Sequence, residues 1–157
     1  MKKVRIGKEQ AIQRIRHYCA YQERAQQEVR DKLYELGMTM DEVEEIMSDL
    51  IAENFLNEER FAVQFAGGHF RIKGWGRVKI QHALQQKRVS KYNIKIGLKA
   101  IEEDAYIKTL QQPATKKWNS LKGERGLSRM AKTYAFLHQR GFEPILYQPI
   151  VQKLYKP

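Results

Sequence analysis

A helix-stop followed by an apolar helix recurs three times in this chain, and that recurrence limits the fold more than any other feature. Val43, Ile46, Met47 and Leu50 stand at the i, i+3, i+4, i+7 spacing of one helix face. Fifty-one residues later Ile94, Gly97, Leu98 and Ile101 follow the same pattern, and after another fifty-three Tyr147, Ile150, Val151 and Leu154 do so again. Each set is entered through a start signal. Thr39 and Glu42 suit a capping box, with Met38 and Val43 as the hydrophobic staple around it. Val89 and Ile94 take the staple positions in the second copy, and Pro144 sits where a first helical residue belongs in the third. The helices before them also align. Leu33, Leu84 and Leu137 each lie four or five residues before the turn, with Gly37 and Gly141 at the stop and Arg88 in the middle copy.

The leading helices align least well. Residues 8–23 place Ile12, Ile15 and Cys19 on one face, Phe61, Ala62 and Phe65 make an apolar face in the second copy, and Leu110, Trp118 and Leu121 do so more loosely in the third. A loop is expected over Lys122–Gly126. The expectation is an all-α chain: a tandem array of three three-helix, helix-turn-helix-like repeats, 1–56, 57–103 and 104–157, elongated and curved. Each repeat is too small to hold a good core alone, so neighbours are expected to stack. With four prolines, three of them at or beyond Pro144, the chain is free to be helical.

Charge is unevenly spread. Residues 1–56 hold 9 Lys/Arg against 11 Asp/Glu, residues 57–103 hold 10 against 4, and residues 104–157 hold 10 against 3. The net charge of +11 therefore belongs to the last two thirds of the chain, which suits a phosphate backbone, an anionic membrane or an acidic protein. A single cysteine, Cys19, excludes an internal disulfide and fits a reducing compartment. Lys2, Lys3 and Arg5 are followed by no apolar run, and no stretch reaches the ~20 apolar residues of a membrane helix. The expected location is cytoplasmic, with no membrane partner.

Catalytic chemistry finds no constellation. His17, His69, His82 and His138 are scattered, zinc-finger spacing is absent, and Gly67-Gly68 and Gly74-Trp75-Gly76 read as helix termini. No enzyme, cofactor, metal or small-molecule substrate is expected. The acidic run Asp41, Glu42, Glu44, Glu45 complements a helix N-terminus. The cations are more informative. Lys91, Lys95 and Lys99, at i, i+4, i+8, form a ridge opposite an apolar face, and Lys87 and Arg88 extend it. Arg77 and Lys79 open the helix after Gly76, and Lys116, Lys117, Lys122, Arg125, Arg129 and Lys132 make a second dense set. Such acid-poor ridges suit phosphate contact, whereas bidentate base reading would call for more Arg, Asn and Gln. Phe70 and Trp75 could stack on bases, with core packing the alternative.

These residues also resemble a known family. Leu56-Asn57-Glu58-Glu59-Arg60-Phe61-Ala62 resembles the "L-N/D-D-x-R-F-A" opening of RecX proteins, regulators of the RecA recombinase. The stretch Gly74-x-Gly76-Arg77-x-x-Ile80-x-x-x-Leu84 is similar to their "G-x-x-x-I-x-x-x-L" middle helix, and Lys132-x-x-x-Phe136-Leu137-x-x-Arg140-Gly141-Phe142 to their "K-x-x-x-F/Y-L-x-x-R-G-F" signature. Tyr21-x-x-Arg24, then Glu28-Val29-x-x-Lys32-Leu33, matches the N-terminal unit. Ala25 stands where the family usually has Ser, Glu58 where it has Asp, and Arg88 where Gly is expected.

The resemblance implies tandem three-helix repeats lying along the groove of the RecA filament on single-stranded DNA, where such proteins inhibit ATP hydrolysis, strand exchange and co-protease activity in DNA repair and the SOS response. The expected contacts to the filament and the DNA backbone are Arg77, Lys79, Lys87, Lys91, Lys95, Lys99, Lys117, Arg125, Arg129 and Lys132. Arg24, Arg60, Phe61, Gly74, Arg140, Gly141 and Phe142 are motif positions that could bind the partner or brace the fold. A monomer is expected. The alternatives are a helical nucleic-acid-binding protein with no RecA dependence, and an adaptor whose basic face meets an acidic protein.

Overall fold

A computed structural model describes residues 5–155; Lys2 and Lys3 lie outside them. The described residues form nine helices and no strand. In chain order they are α1 (Lys8–Tyr21), α2 (Gln26–Glu35), α3 (Met40–Ala52), α4 (Glu58–Lys73), α5 (Arg77–Gln86), α6 (Lys91–Lys99), α7 (Glu103–Ser120), α8 (Gly126–Gln139) and α9 (Pro144–Tyr155). The expected tandem helical array is what the backbone shows. Its contacts group into two compact units, residues 1–64 with 84–96, and residues 65–83 with 97–157.

In the first unit α1, α2 and α3 pack on one another. Their shared core is Ala11, Ile15 and Cys19 from α1, Val29 and Leu33 from α2, Val43, Ile46, Met47 and Leu50 from α3, and Leu56 beyond it. Ile15, Cys19, Val43, Ile46, Met47 and Leu50 are positions that the helical spacing predicts, whereas Ile12 is only partly buried and Ala11, Val29 and Leu56 are additions. Fully burying each large aliphatic side chain contributes about 1.5–3 kcal/mol. Thr39 caps α3 with its hydroxyl accepting from Glu42 N (3.3 Å), and Glu42 accepts from Thr39 N in return (3.0 Å), completing the expected capping box. At α2 only half of that device exists. Ala25 has no side-chain oxygen, and Glu28 alone accepts from the Ala25 N–H at 3.1 Å.

In the second unit α7, α8 and α9 pack pairwise. Tyr106, Leu110, Ala114, Leu137, Phe142 and Val151 are fully buried, as is Ile80 from α5. Phe70 is buried as well and packs against Tyr106 with ring centroids 5.6 Å apart, so it is a core residue and its ring is withheld from base stacking. Helix α7 runs on through Pro113 and α9 through Pro149, which the helical reading did not anticipate, and Gly67-Gly68, expected as a helix terminus, lies inside α4.

The same turn follows α2, α5 and α8, and it recurs after α3, where Asn54 takes φ 64°. After α2, Met38 N donates to Leu33 O (3.1 Å) and Gly37 N to Tyr34 O (3.0 Å). After α5, Val89 N donates to Leu84 O and Arg88 N to Gln85 O; after α8, Phe142 N donates to Leu137 O and Gly141 N to His138 O. These paired bonds are the Schellman motif, which needs a left-handed residue just past the helix and an apolar contact across the turn. Gly37, Arg88 and Gly141 supply the left-handed residue with φ of 88°, 60° and 94°. Leu33–Met38, Leu84–Val89 and Leu137–Phe142 are the apolar partners, all buried.

Candidate nucleoprotein-binding surface

Ion pairing separates the cations into two classes. In the first unit most are spent on neighbouring acids. Arg5 pairs with Glu42 (3.1 Å), Lys8 with Glu45 (2.8 Å), Arg16 with Glu53 (2.8 Å) and Arg30 with Glu44 (3.2 Å). Glu42, Glu44 and Glu45 of the acidic run at the start of α3 are thereby paired with cations of other segments, beyond any help from the helix dipole. Hydrogen bonds from Arg5, and then from the Thr39 backbone, hold the Glu42 carboxyl down at about 2. Lys87, expected on the binding ridge, reaches Glu28 at 3.5 Å.

Arg24 and Arg60 act as braces. Arg24 donates from Nε to Tyr18 O (2.9 Å) and lies 3.7 Å over the Tyr18 ring. Arg60 holds Glu23 through Nε and Asn54 through both Nη atoms at 3.1 Å. Phe61 beside it is buried. Glu58 joins two helix starts, accepting from Ser90 N (3.0 Å) and from Asn93 Nδ2 (2.9 Å).

In the second unit the two signatures around Gly76 and Gly141 meet. Gly76 N donates to Arg140 O (2.8 Å) and Val78 N to Gly141 O (2.9 Å). A Cβ on Gly76 would come within 2.3 Å of the Gly141 carbonyl, so the two backbones touch where no side chain fits. Arg140 Nη2 donates to Lys73 O (3.3 Å), just before Gly74, and Phe142 is fully buried. Next to this junction Arg77 pairs with Glu143 (3.0 Å) and Glu103 (2.5 Å) and stacks over Tyr106 at 3.7 Å. Tyr106 accepts from Arg77 N (2.9 Å) and donates to Glu143. Burial, and then the hydrogen bond to Glu143, push its phenol far above its ordinary range. Arg77 is thus committed to an internal network with its side chain 19% exposed.

Arg129 is committed likewise, donating to Trp118 O (2.9 Å) and lying 4.1 Å over the Trp118 ring. Lys132 pairs with Glu124 at 2.6 Å. Lys79 rests over Trp75 (4.6 Å), and Lys117 over Phe136 (5.2 Å).

The other class is open. Lys91, Lys95 and Lys99 on α6, and Arg125 before α8, are exposed, and among the described residues no carboxylate pairs with them. Tyr92, 74% exposed, stands on α6 directly after Lys91. The charge reading passed over it, although its absence from the apolar set Ile94, Gly97, Leu98, Ile101 marks it as an outward aromatic. An exposed aromatic beside unpaired lysines suits a phosphate-bearing or protein surface. Among the described residues no group of three or more metal-ligating side chains comes together. No described helix is long and apolar enough to cross a membrane.

Comparison with known proteins agrees with this architecture. The first three-helix domain of RecX matches residues 11–50 and the second matches residues 57–98. A protein of Prosthecochloris aestuarii named "Regulatory protein RecX" is 30% identical over 133 residues, spanning 85% of this chain and 85% of its own. The chain belongs to the RecX family. A second relative, the regulatory protein RecX of Clostridium perfringens, is also 30% identical, over 83% of this chain, but the match spans only 62% of that longer protein. The crystal structure of RecX from Lactobacillus salivarius superposes with a TM-score of 0.86 over 94% of this chain and 96% of its own, at 22% identity, and so shares the RecX fold. The segments that resemble RecX motifs in the sequence are here a backbone junction, at Gly76 and Gly141, and core positions such as Phe142.

Proposed function

We propose that this RecX-family chain regulates a RecA-type recombinase by binding its filament on single-stranded DNA and lowering ATP hydrolysis, strand exchange and co-protease activity. Family membership supports the partner, and the observation that carries the mode of binding is the unpaired cation set. Lys91, Lys95 and Lys99 project from α6 without acids to neutralise them, while Arg77, Lys87, Arg129 and Lys132 have internal partners. The free set would meet phosphate backbone and acidic filament surface, and Arg125, Lys79 and Lys117 would add to it. The repeats 1–56, 57–103 and 104–157 would act as successive contact modules on one filament, with the protein as a monomer. No catalytic step is assigned to it, and it would work in the cytoplasm, where RecA filaments form.

The test is RecA ATPase on single-stranded DNA with this protein titrated in, at two DNA concentrations. Inhibition at protein levels well below those that coat free DNA supports filament binding. Inhibition that disappears with excess DNA would instead mean competition for the strand, as expected of a nucleic-acid binder without RecA dependence.

A further inference from the structure

A recess of about 410 Å³ opens between α7 and α8 in the second unit. Its wall is apolar at Pro113 and Phe136, and its rim carries Lys116, Lys117 and Arg140 together with Ser120 and Gln112. No Asp or Glu lines it. Lys117 Nζ and Arg140 Cζ lie 5.2 and 5.5 Å from the Phe136 ring centre, so two cations are already gathered at the aromatic wall. Arg140 also donates from Nη2 to Lys73 O, which fixes its guanidinium beside the ring.

The recess continues along α7. A second hollow, sharing Gln112 and Lys116 with the first, runs past Lys108, Thr115 and Asn119 and is also free of acids. Lys108 and Lys116 are eight residues apart on one helix, about 12 Å along its axis. The face is thus a strip of cations, amides and hydroxyls that ends in an aromatic, cation-rimmed hollow.

We propose that this strip seats a single-stranded nucleic acid, with the backbone phosphates on Lys108, Lys116 and Lys117 and one base against Pro113 and Phe136. The site rests on the nucleic-acid part of the function proposed above. A chain of phosphates needs cations at intervals, and a base needs an apolar wall with amide groups at its edge; all of these are present. An acidic peptide would use the cations but leave the apolar wall unexplained.

The experiment is fluorescence anisotropy with a labelled oligothymidylate, an abasic strand of equal phosphate number, and an oligoglutamate competitor. The proteins are wild type, K116A/K117A and F136L, each checked by far-UV CD. Wild type should bind the oligothymidylate several-fold more tightly than the abasic strand. K116A/K117A should weaken both and reduce the salt slope by up to about 1.4, at ~0.7 per lost phosphate contact on a single strand. F136L should lose most of the preference for bases, roughly tenfold on the scale of base–aromatic stacking, while its salt slope stays the same. The proposal is overturned if wild type binds no strand at low salt or binds both strands equally, if K116A/K117A keeps wild-type affinity and slope, or if oligoglutamate competes better than the abasic strand. Should these binding results hold while wild type leaves RecA ATPase untouched, the regulatory reading fails and this site stands.

Discussion

Three equivalent turns carry three left-handed residues, yet they should respond to substitution in opposite directions. Arg88 holds φ 60° with an exposed side chain and pays the left-handed penalty of a residue with a Cβ, about 1–2 kcal/mol. Arg88→Gly removes that penalty, and the extra freedom of glycine in the unfolded chain returns about 0.5–1 kcal/mol of it. The net expectation is a gain of about 0.5–1 kcal/mol. Gly141 sits at φ 94°, and a Cβ there would lie 2.3 Å from Lys79 Cβ and 2.6 Å from Lys79 N. The second of these is backbone and cannot swing aside. Gly141→Ala therefore combines the left-handed penalty with overpacking of about 1–3 kcal/mol, less the roughly 0.5–1 kcal/mol that a stiffer unfolded chain returns, for a loss of about 1–4.5 kcal/mol. Gly37 is intermediate. Its Cβ would meet Arg5 Cα at 2.5 Å, but Arg5 lies in the non-helical segment before α1, whereas Lys79 is held within α5. Urea unfolding followed by far-UV CD measures all three. The expected order is Arg88→Gly above wild type, then Gly37→Ala, then Gly141→Ala. A destabilised Arg88→Gly, or a Gly141→Ala within about 0.5 kcal/mol of wild type, would refute the account of the repeated turn.

Other consequences are direct. Tyr106→Phe should cost about 1–3 kcal/mol, because Arg77 N and Glu143 lose their shared partner in a buried site; thermal melts check this, and an unchanged Tm would remove the network from the stability account. Glu42 has its carboxyl lowered from 4.5 to about 2 in the fold, so its contribution is complete above pH 4.5 and fades as pH falls toward 2. Acid titration of Glu42→Gln should show a shallower decline across that window than wild type, and identical slopes would contradict the assignment. Cys19 is buried, with its thiol pushed up to about 11 by desolvation, so alkylation should be slow in the native protein and fast once it is unfolded. Ala25→Ser should supply the missing half of the α2 cap and stabilise by about 0.5–1 kcal/mol in the same urea assay, and a loss would show that the buried site cannot take the hydroxyl.

The helices were legible because their signals are local. Thr39 with Glu42, Gly37 after Leu33 and Pro144 at a helix start each act within a few residues, and the apolar stripes follow from a single period. The candidate surface was less legible because pairing is not local. Arg77 reads as a free cation in sequence, but its partners Glu103 and Glu143 stand 26 and 66 residues away. Arg129 faces Trp118 across a loop, and Lys132 finds Glu124 only once α8 is formed. That the α6 lysines are exposed and unpaired could be read, because no acid accompanies them on their own helix. Phe136 looked like one letter of a family signature; its place beside Lys117 and Arg140 required the packing of α7 on α8.

The central claim is that the unpaired cations of a RecX-family fold bind a RecA filament. The most direct measurement is co-sedimentation with RecA filaments assembled on single-stranded DNA with a non-hydrolysable ATP analogue, beside DNA alone, for wild type and for K91E/K95E/K99E. Wild type should pellet with filaments at concentrations where DNA alone retains little of it, and the triple variant should stay in solution while keeping its helical CD signal. Wild type pelleting equally with bare DNA, or a triple variant that binds filaments as wild type does, would contradict the account.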